Sequence, residues 1–480
     1  MTNPFRSIGP ARLLAVAALI ASLGRPLAGQ GQQPDTPATR QLARWLETFN
    51  AGDRAVRLKF LTENYPARAQ SVDEDLAFRD QIGGFDLVRI DSATATRAVA
   101  ILKERDADAA GARLVIDVDP AEPHQITNLS LQGGVHLDVT IPHLSAADLA
   151  KAVQAEAEKR AASGRFSGTV MVAKNGKAIF AGAYGLSDRA KNIPNQIDTR
   201  FRNGSMNKMF TATAILTLVQ AGKISLDAPL GTYLTDYPNK TVASKVTIHH
   251  LLTHTGGTGD IFGPEFMAHR LELKTHQDYL NLYGKRDLLF EPGSKWQYSN
   301  YGFVLLGAVI EKVSGQSYYD YVREHVYQPA GMTLTASEPE EQPVPNRSIG
   351  YMRGRGSSEL QPNSETLPYR GMAAGGGYTT VGDLIRFATA LMNHTLLNQK
   401  YTDLLLTGKV DALGGRYAYG MVDRTVNGQR AVGHGGGAPG MNGDLLFFPQ
   451  SGYAVAVLAN LDPPAAQRIS EFAANRMPER

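Results

Sequence analysis

Between residues 41 and 132, helical hydrophobic patterns come first and strand-like patterns follow. Apolar residues recur at helical spacing from Leu42 to Phe49, and Gly52 ends this pattern. Asp53 is suited to cap a second amphipathic helix. Short apolar runs then predict four strands, at 85–90, 97–102, 114–118 and 126–131. Helices followed by an antiparallel meander predict a small α+β domain over residues 41–132.

The order of these elements, with the run GGFDLVRI at 83–90, is similar to that of the NTF2-like folds. Such a domain often holds a pocket, and a packing module without chemistry is the alternative. Residues 30–40 are rich in Gln, Pro and Thr and are expected to be flexible. Residues 133–144 are expected to form a linker.

The pattern changes again over residues 145–480. Ser145 and Asp148 predict the start of a helix that runs to about Ala162. Asn-Gly pairs at 175–176 and 427–428 each predict a hairpin with a type I′ turn. Another strand pair is predicted around 450–452, and helices and loops fill the middle. We therefore expect an antiparallel sheet closed by its N- and C-terminal strands and flanked by helices, with an all-helical middle.

Composition and charge restrict the class of function. The chain has 480 residues, 43% hydrophobic and 20% charged, with a net charge of +3 and no cysteine. So small a charge, without blocks of like charge, does not favour a nucleic-acid partner. Without cysteine, stability must come from the core rather than from disulfides.

Residues 1–29 have the pattern of a secretory signal peptide. Arg6 and Arg12 precede the apolar run Leu13–Ala21, and small residues follow at 26–29. A membrane anchor is the alternative, but the run is shorter than the ~20 residues that span a bilayer. We expect a secreted or periplasmic protein without a stable membrane span after the signal is removed.

The stretch NGSMNKMFTATAIL, from Asn203 to Leu216, contains the candidate nucleophile. Ser205 and Lys208 are three residues apart at the start of a helix that is apolar nearly all round, so they can touch. The first N–H groups of a helix lack internal acceptors and favour negative charge. Burial would lower the pKa of Lys208 and make it a base. A lysine that reaches the surface is the alternative.

Two later stretches complete a known pattern. Tyr298-Ser-Asn300 follows Pro292-Gly293 in a predicted loop before an apolar helix at 303–313, and His434-Gly435-Gly436 comes at the end of a predicted strand. With Ser205-x-x-Lys208, these resemble the three signature motifs of the penicillin-recognising serine hydrolases. The similar branch contains class C β-lactamases, D-alanyl-D-alanine carboxypeptidases and related esterases. The resemblance covers about residues 145–475.

The resemblance implies a role for each matched residue. Ser205 would be the acylated nucleophile, and Lys208 would take or share its proton. Tyr298 would act as base and then acid, with a pKa lowered by Lys208. Asn300, His434, Gly435 and Gly436 would bind substrate. The backbone N–H groups of Ser205 and Gly437 would form the oxyanion hole. No cofactor or metal is implied.

The third motif departs from the commonest family pattern, Lys-Thr-Gly. His434 is mostly neutral above about pH 6.5, and the threonine hydroxyl is missing. These changes favour esters or D-amino-acid amides and peptides, including cell-wall fragments. A β-lactamase or D-Ala-D-Ala carboxypeptidase is the alternative enzyme. A slowly acylating sensor that binds cell-wall fragments or β-lactams is the non-enzymatic alternative.

Other candidate motifs are weaker. His249, His250 and His254 include an i, i+4 pair but lack the glutamate of zinc hydrolases, so structural roles are favoured. Tyr-x-Asn also occurs at Tyr237 and Tyr279, which we interpret as ordinary turn or surface residues. The chain has no phosphate-binding Gly-rich loop of the Walker type.

Overall fold

The computed structural model describes residues 34–354 and 359–479, and the predicted signal peptide lies outside them. The N-terminal part begins with three helices and continues with four antiparallel strands in sequential order. The bounds are α1 Pro37–Ala51, α2 Arg54–Asn64, α3 Val72–Ile82, β1 Phe85–Ala93, β2 Arg97–Glu104, β3 Ala110–Val118 and β4 Ile126–His136.

Two boundaries in this part differ from expectation. Helix α1 begins at Pro37 because the side chains and backbones of Thr36 and Thr39 form a capping box, so residues 37–40 are helical rather than flexible. Strand β4 continues to His136, so the linker cannot begin at residue 133. A bulge in β4 at Gly134, which has a positive φ of 85° and faces the step between Gly111 and Ala112 of β3, allows the pairing to continue. The predicted cap at Asp53 is confirmed.

The rest of the described chain is built on an antiparallel sheet. Its strands are β5 Gly168–Lys174, β6 Lys177–Tyr184, β13 Val410–Ala412, β14 Gly415–Tyr417, β15 Val422–Val426, β16 Gln429–Ala438, β17 Met441–Phe448 and β18 Tyr453–Ala459. They lie in the order β13-β14-β15-β16-β17-β18-β5-β6. C-terminal β18 pairs with β5, which confirms closure by both ends of the segment. Both Asn-Gly hairpins are confirmed, with positive φ at each Asn and Gly.

Helices cover both faces of this sheet. Their bounds are α4 Ala146–Ala162, α5 Asn207–Gln220, α6 Lys240–Lys245, α7 Ile248–Leu252, α8 Pro264–His269, α9 His276–Tyr283, α10 Asn300–Ser314, α11 Tyr318–Val322, α12 Val381–Met392, α13 Gln399–Leu406 and α14 Gln467–Ala474. Short strands accompany them at β7 Leu186–Asp188, β8 Ile193–Pro194, β9 Phe201–Arg202, β10 Tyr351–Arg353, β11 Leu360–Pro362 and β12 Tyr378–Thr379. The middle of the chain is therefore mainly helical.

The sheet separates two hydrophobic cores. On one face, α5, α10 and α12 pack with Leu445 and Phe447 of β17. On the other, α4 and α14 pack with Leu446 and Phe448 of the same strand. This alternation is the expected consequence of a strand buried on both faces. The N-terminal part has a core of its own around Trp45. In the described ranges, no helix is long and apolar enough to cross a membrane.

Candidate active site

Ser205 lies in a short 3-10 turn, Gly204–Met206, that leads directly into α5. Gly204 has a positive φ of 51°, a conformation that glycine adopts without the steric cost of a Cβ. Most of the side chains of α5 are buried, which fixes the helix against its neighbours. Ser205 itself is only partly buried. Its hydroxyl is thus held by a rigid element and is still accessible.

The amine of Lys208 is completely buried, with 0% of the residue exposed. Its Nζ lies 3.2 Å from Ser205 Oγ and 2.7 Å from Asn300 Oδ1, and it also donates to the carbonyl of Ala374. Burial lowers the pKa of Lys208 to about 7, although the carboxylate of Asp260 opposes this shift. The amine is therefore neutral far more often at pH 7 than a free lysine, for which the neutral fraction is about one in 2,500.

The ring of Tyr298 lies beside this amine, with Lys208 Nζ 4.7 Å from the ring centroid. Burial raises the pKa of Tyr298, against the effect of a side-chain hydrogen bond with Ser205. The expectation that Lys208 lowers this pKa is therefore wrong. Burial removes the phenol from water and disfavours the charged phenolate, and this effect is the largest contribution to the shift.

Asn300 is the first residue of α10, so this helix begins three residues earlier than predicted, and Asn300 does not lie in a loop. The Ser299 side chain caps the helix by accepting from the Gly302 N–H at 2.9 Å. Asn300 Nδ2 donates to Asp260 Oδ2 at 3.2 Å, while its Oδ1 accepts from Lys208. The amide thus orients the lysine, and its contact with substrate stays a prediction.

The third motif lies within β16, and the strand continues for four residues beyond His434 rather than ending there. A Cβ on Gly436 would lie 2.1 Å from the carbonyl oxygen of Asn203, so only glycine permits this contact with the nucleophile turn. Gly437 N lies 3.2 Å from where a Cβ of Gly204 would be. The backbone of β16 therefore runs directly beside the turn that carries the nucleophile.

The proposed oxyanion donors are consistent with this arrangement. In the described part of the chain, no acceptor takes the Ser205 N–H. Gly435, by contrast, points to the other face of the sheet, where a Cβ would approach Gln467 and Asp444. Its direct contact with substrate finds no support in this placement.

His434 is 6% exposed, and both of its ring nitrogens contact protein atoms. Nε2 lies 3.2 Å from the hydroxyl oxygen of Tyr417, and Nδ1 contacts the carbonyl of Gly435. Burial, together with the charge of Lys208, lowers the pKa of His434 to about 4. The ring is therefore neutral at physiological pH, and its predicted contact with substrate stays a prediction.

Sequence reasoning missed three residues around these motifs. Asp260 holds Asn300, while His254 and Tyr417 lie behind Tyr298. His254 appears in the sequence analysis only in the i, i+4 histidine pair, for which a structural role is favoured over a metal site. Tyr417 belongs to no recognised motif, so only its position in β14 places it here.

The histidines and tyrosines of the weaker motifs have separate surroundings. His249 Nδ1 contacts the Tyr419 hydroxyl at 2.8 Å, and His250 Nδ1 accepts from the Thr247 N–H. Across residues 34–354 and 359–479, no group of three or more His, Asp or Glu side chains is arranged to hold a metal ion. Tyr237 and Tyr279 are not surface residues: they are only 3% and 1% exposed, because their rings pack into the helical core.

Comparison with known proteins agrees with this geometry. Residues 152–476 match the family model described as Beta-lactamase. The chain belongs to the beta-lactamase family. Esterase EstB of Burkholderia gladioli is 36% identical to this chain over 226 residues, which cover 44% of this chain and 57% of the esterase.

Solved structures of family relatives share the fold. The penicillin-binding protein from Bacillus halodurans superposes with a TM-score of 0.61 at 35% identity, covering 66% of this chain and 98% of that one. A D-stereospecific amidohydrolase from Streptomyces sp. gives a TM-score of 0.57 at 27% identity, covering 67% and 97%. The family resemblance and the expected fold class are confirmed, and the chain is a serine hydrolase of the β-lactamase and penicillin-binding protein family.

Proposed function

We propose that this protein is an exported enzyme that forms an acyl-enzyme on Ser205 and hydrolyses esters or D-amino-acid amides and peptides. The observation that carries the proposal is the fully buried Lys208 amine, 3.2 Å from Ser205 Oγ. A base with a pKa near 7 is suited to take a serine proton at physiological pH. Export rests on the predicted signal peptide.

In the acylation step, neutral Lys208 accepts the proton of the Ser205 hydroxyl while Oγ attacks the substrate carbonyl carbon. The N–H groups of Ser205 and Gly437 stabilise the oxyanion that forms. The proton then passes from Lys208 through the phenol of Tyr298 to the leaving group as the carbonyl–heteroatom bond breaks. Because its pKa is raised, Tyr298 transfers protons as a neutral phenol rather than starting as a phenolate.

Deacylation reverses the direction of proton flow. Water attacks the ester carbonyl of the acyl-Ser205 intermediate, and the Lys208–Tyr298 pair takes its proton. The bond between Ser205 Oγ and the acyl carbon then breaks, and Oγ regains a proton. Lys208 and Ser205 therefore return to their starting states after each turnover.

The proposed substrate class follows from the charge of the site. A neutral His434 offers no fixed positive charge for a substrate carboxylate. This supports substrates that lack an obligatory carboxylate, such as esters and internal D-amino-acid amides. The names of EstB and of the D-stereospecific amidohydrolase agree with these two classes.

Penicillin binding without rapid turnover is the second candidate, favoured by the penicillin-binding name of the structural neighbour. A fluorophosphonate probe, with Ser205→Ala as control, tests whether the serine is reactive. A panel of aryl esters, D-alanyl amides and a chromogenic cephalosporin then tests the substrate class. We expect fastest turnover of uncharged esters or amides. Faster cephalosporin turnover would favour a β-lactamase, and a persistent acyl adduct without turnover would favour a sensor.

A further inference from the structure

A buried chain of hydrogen bonds links the second motif to the third. The Ser299 N–H donates to His254 Nδ1 at 3.1 Å, and His254 Nε2 lies 2.9 Å from Tyr417 Oη. The same phenol oxygen lies 3.2 Å from His434 Nε2, and His434 Nδ1 contacts the carbonyl of Gly435. Both imidazoles and the phenol are at most 6% exposed. Solvent therefore competes little for these contacts.

The backbone N–H of Ser299 determines which atom donates and which accepts at every step of this chain of hydrogen bonds. Because the Ser299 N–H donates to His254 Nδ1, a neutral His254 must carry its proton on Nε2. That proton is donated to Tyr417 Oη, so the phenol must donate its own proton to His434 Nε2. A neutral His434 then carries its proton on Nδ1, where the Gly435 carbonyl accepts it. Each donor in the chain meets an acceptor.

The backbone of His254 has an unusual conformation. Its φ is +59°, in the left-handed region that few non-glycine residues occupy. The His254 carbonyl accepts a hydrogen bond from the Gln297 N–H at 2.9 Å. The centroid of its ring lies 4.3 Å from the ring centroid of Tyr298 and 4.7 Å from that of Tyr417. Strained residues of this kind persist where the surrounding structure fixes them, and they concentrate at functional sites.

We propose that His254 and Tyr417 are positioning residues that hold the third-motif histidine in a single tautomer, and that the ring of His254 also supports the ring of Tyr298. In this arrangement neither nitrogen of His434 is available to substrate. The third motif then presents an uncharged wall, which selects an uncharged substrate group at that position. The kinetic part of this proposal rests on the proposed function, whereas the tautomer does not.

The tautomer is measured directly by nitrogen NMR of the full protein labelled with [15N]histidine. The chain has 11 histidines, and the His434 signals are identified by their loss in His434→Asn. We expect an unprotonated Nε2 and a protonated Nδ1 in the wild-type protein. A His434 protonated on Nε2, or exchanging between tautomers in the wild type, would overturn the proposal even if Ser205 proved unreactive.

Tyr417→Phe removes the central hydroxyl and keeps the ring. We expect the His434 signals to average between tautomers and kcat for an uncharged ester to fall about tenfold, with KM little changed, because misplacement weakens transition-state contacts more than binding. Tyr419→Phe is the matched control, since Tyr419, two residues after Tyr417, forms a similar pair with His249 at 2.8 Å. The control should stay within about twofold of wild type.

A second variant tests the other positioning residue. His254→Asn keeps a residue type that tolerates positive φ, and the amide oxygen can still accept the Ser299 N–H. We expect the His434 NMR signals of this variant to average between tautomers, as in Tyr417→Phe. Equal loss of kcat in Tyr417→Phe and Tyr419→Phe, or an unchanged His434 tautomer in Tyr417→Phe, would contradict the positioning role. If either variant fails to fold, the wild-type spectrum still decides the tautomer.

Discussion

At the scale of the residue, the chemistry of this site depends on removing Lys208 from water. Its Nζ lies near the rings of Tyr298 and Phe303, and among the described residues it donates to Ser205 Oγ, Asn300 Oδ1 and the Ala374 carbonyl. A carbonyl and an amide oxygen accept hydrogen bonds without supplying the negative charge that would hold the proton. Burial therefore lowers the pKa of Lys208 to about 7 despite the influence of Asp260.

This pKa predicts the pH dependence of acylation. Below about pH 7 Lys208 is protonated and cannot accept the Ser205 proton, so kcat/KM for an uncharged aryl ester should rise with pH and level off above about pH 8. Because the pKa of His434 is about 4, its titration should not change kcat/KM between pH 5 and 8. Stopped-flow acylation rates across this range check the prediction. A rise in the acylation rate centred near pH 10 would instead indicate that Lys208 has the pKa of a free lysine.

A second prediction concerns proton delivery by Tyr298. Tyr298→Phe should reduce amide hydrolysis about a hundredfold or more, because an amine leaving group needs a proton. A nitrophenyl ester should be affected less, since nitrophenolate leaves without one. The ratio of the two kcat/KM values measures this difference.

Tyr237→Phe is the matched control for Tyr298→Phe. It also removes a buried hydroxyl, one that lies 3.1 Å from the Tyr301 hydroxyl in the core. The control should lose about 1 kcal/mol of unfolding free energy and keep its amide-to-ester ratio. If both substrates slow equally in Tyr298→Phe, the phenol has no special role in protonating the leaving group.

At the scale of the element, the site depends on how closely β16 approaches the nucleophile turn. Gly436→Ala should reduce acylation at least about a hundredfold, because the new Cβ would lie 2.1 Å from the Asn203 carbonyl oxygen and must displace Ser205. The rate of fluorophosphonate labelling measures the effect.

Gly382→Ala is a suitable control, since its Cβ would meet only the flexible end of Arg386 at 3.5 Å and the hydroxyl of Thr380 at 3.8 Å. Alanine is also the better helix former at this position in α12. The control should label at the wild-type rate with equal or greater thermal stability. Normal labelling of Gly436→Ala would show that the two elements need not touch.

Much of the fold could be predicted because local signals set it. The Asn-Gly turns fix two hairpins, since both residues must adopt positive φ. Asp53 and Ser145 were correctly identified as caps because their side chains bond the N–H three residues on. Boundaries that depend on tertiary contacts were missed. The extension of β4 to His136 requires a bulge at Gly134 that keeps the strand paired with β3, which no local pattern shows.

The candidate site was predictable only in part, for a related reason. Ser205 and Lys208 are one turn apart, so sequence spacing alone places them together. The direction of the Tyr298 pKa shift could not be predicted, because it depends on how many atoms surround the phenol. His254 and Tyr417 are 163 residues apart in sequence and meet only through the folded sheet. No sequence motif carries that contact.

At the scale of the whole molecule, ion pairs and a hydrogen bond join the N-terminal part to the hydrolase segment. The loop between β2 and β3 supplies Asp108, whose carboxylate accepts from both terminal nitrogens of Arg476 at 2.6 and 2.7 Å. Arg160 of α4 donates to the backbone carbonyl of Asp106 at 2.7 Å, and Glu104 pairs with Arg468 of α14. These contacts lie on the side of the sheet that carries α4 and α14, whereas Ser205 lies in the turn before α5, which packs on the opposite face.

This geometry predicts that Asp108→Asn loosens the N-terminal part without changing the chemistry. The side chains of Asp108 and Arg476 are only 18% and 19% exposed. Loss of this ion pair, which contains two hydrogen bonds, should therefore lower the free energy of unfolding by about 1–3 kcal/mol. We expect faster hydrogen exchange in β3 and faster proteolysis after residue 136. Fluorophosphonate labelling of Ser205 should stay within about twofold of wild type.

Asp35→Asn is the control for this prediction, because Asp35 pairs with Arg40 on the same N-terminal part but is 79% exposed. Exposed pairs contribute about 0–1 kcal/mol, so exchange in β3 should not change. The Asp108 contact is partly shielded from solvent, so added salt should weaken it less than it weakens the Asp35 pair. Slower labelling of Ser205 in Asp108→Asn would mean that the N-terminal part supports the catalytic face through the sheet. Equal exchange in both variants would mean that apolar packing, rather than charge, holds the two parts together.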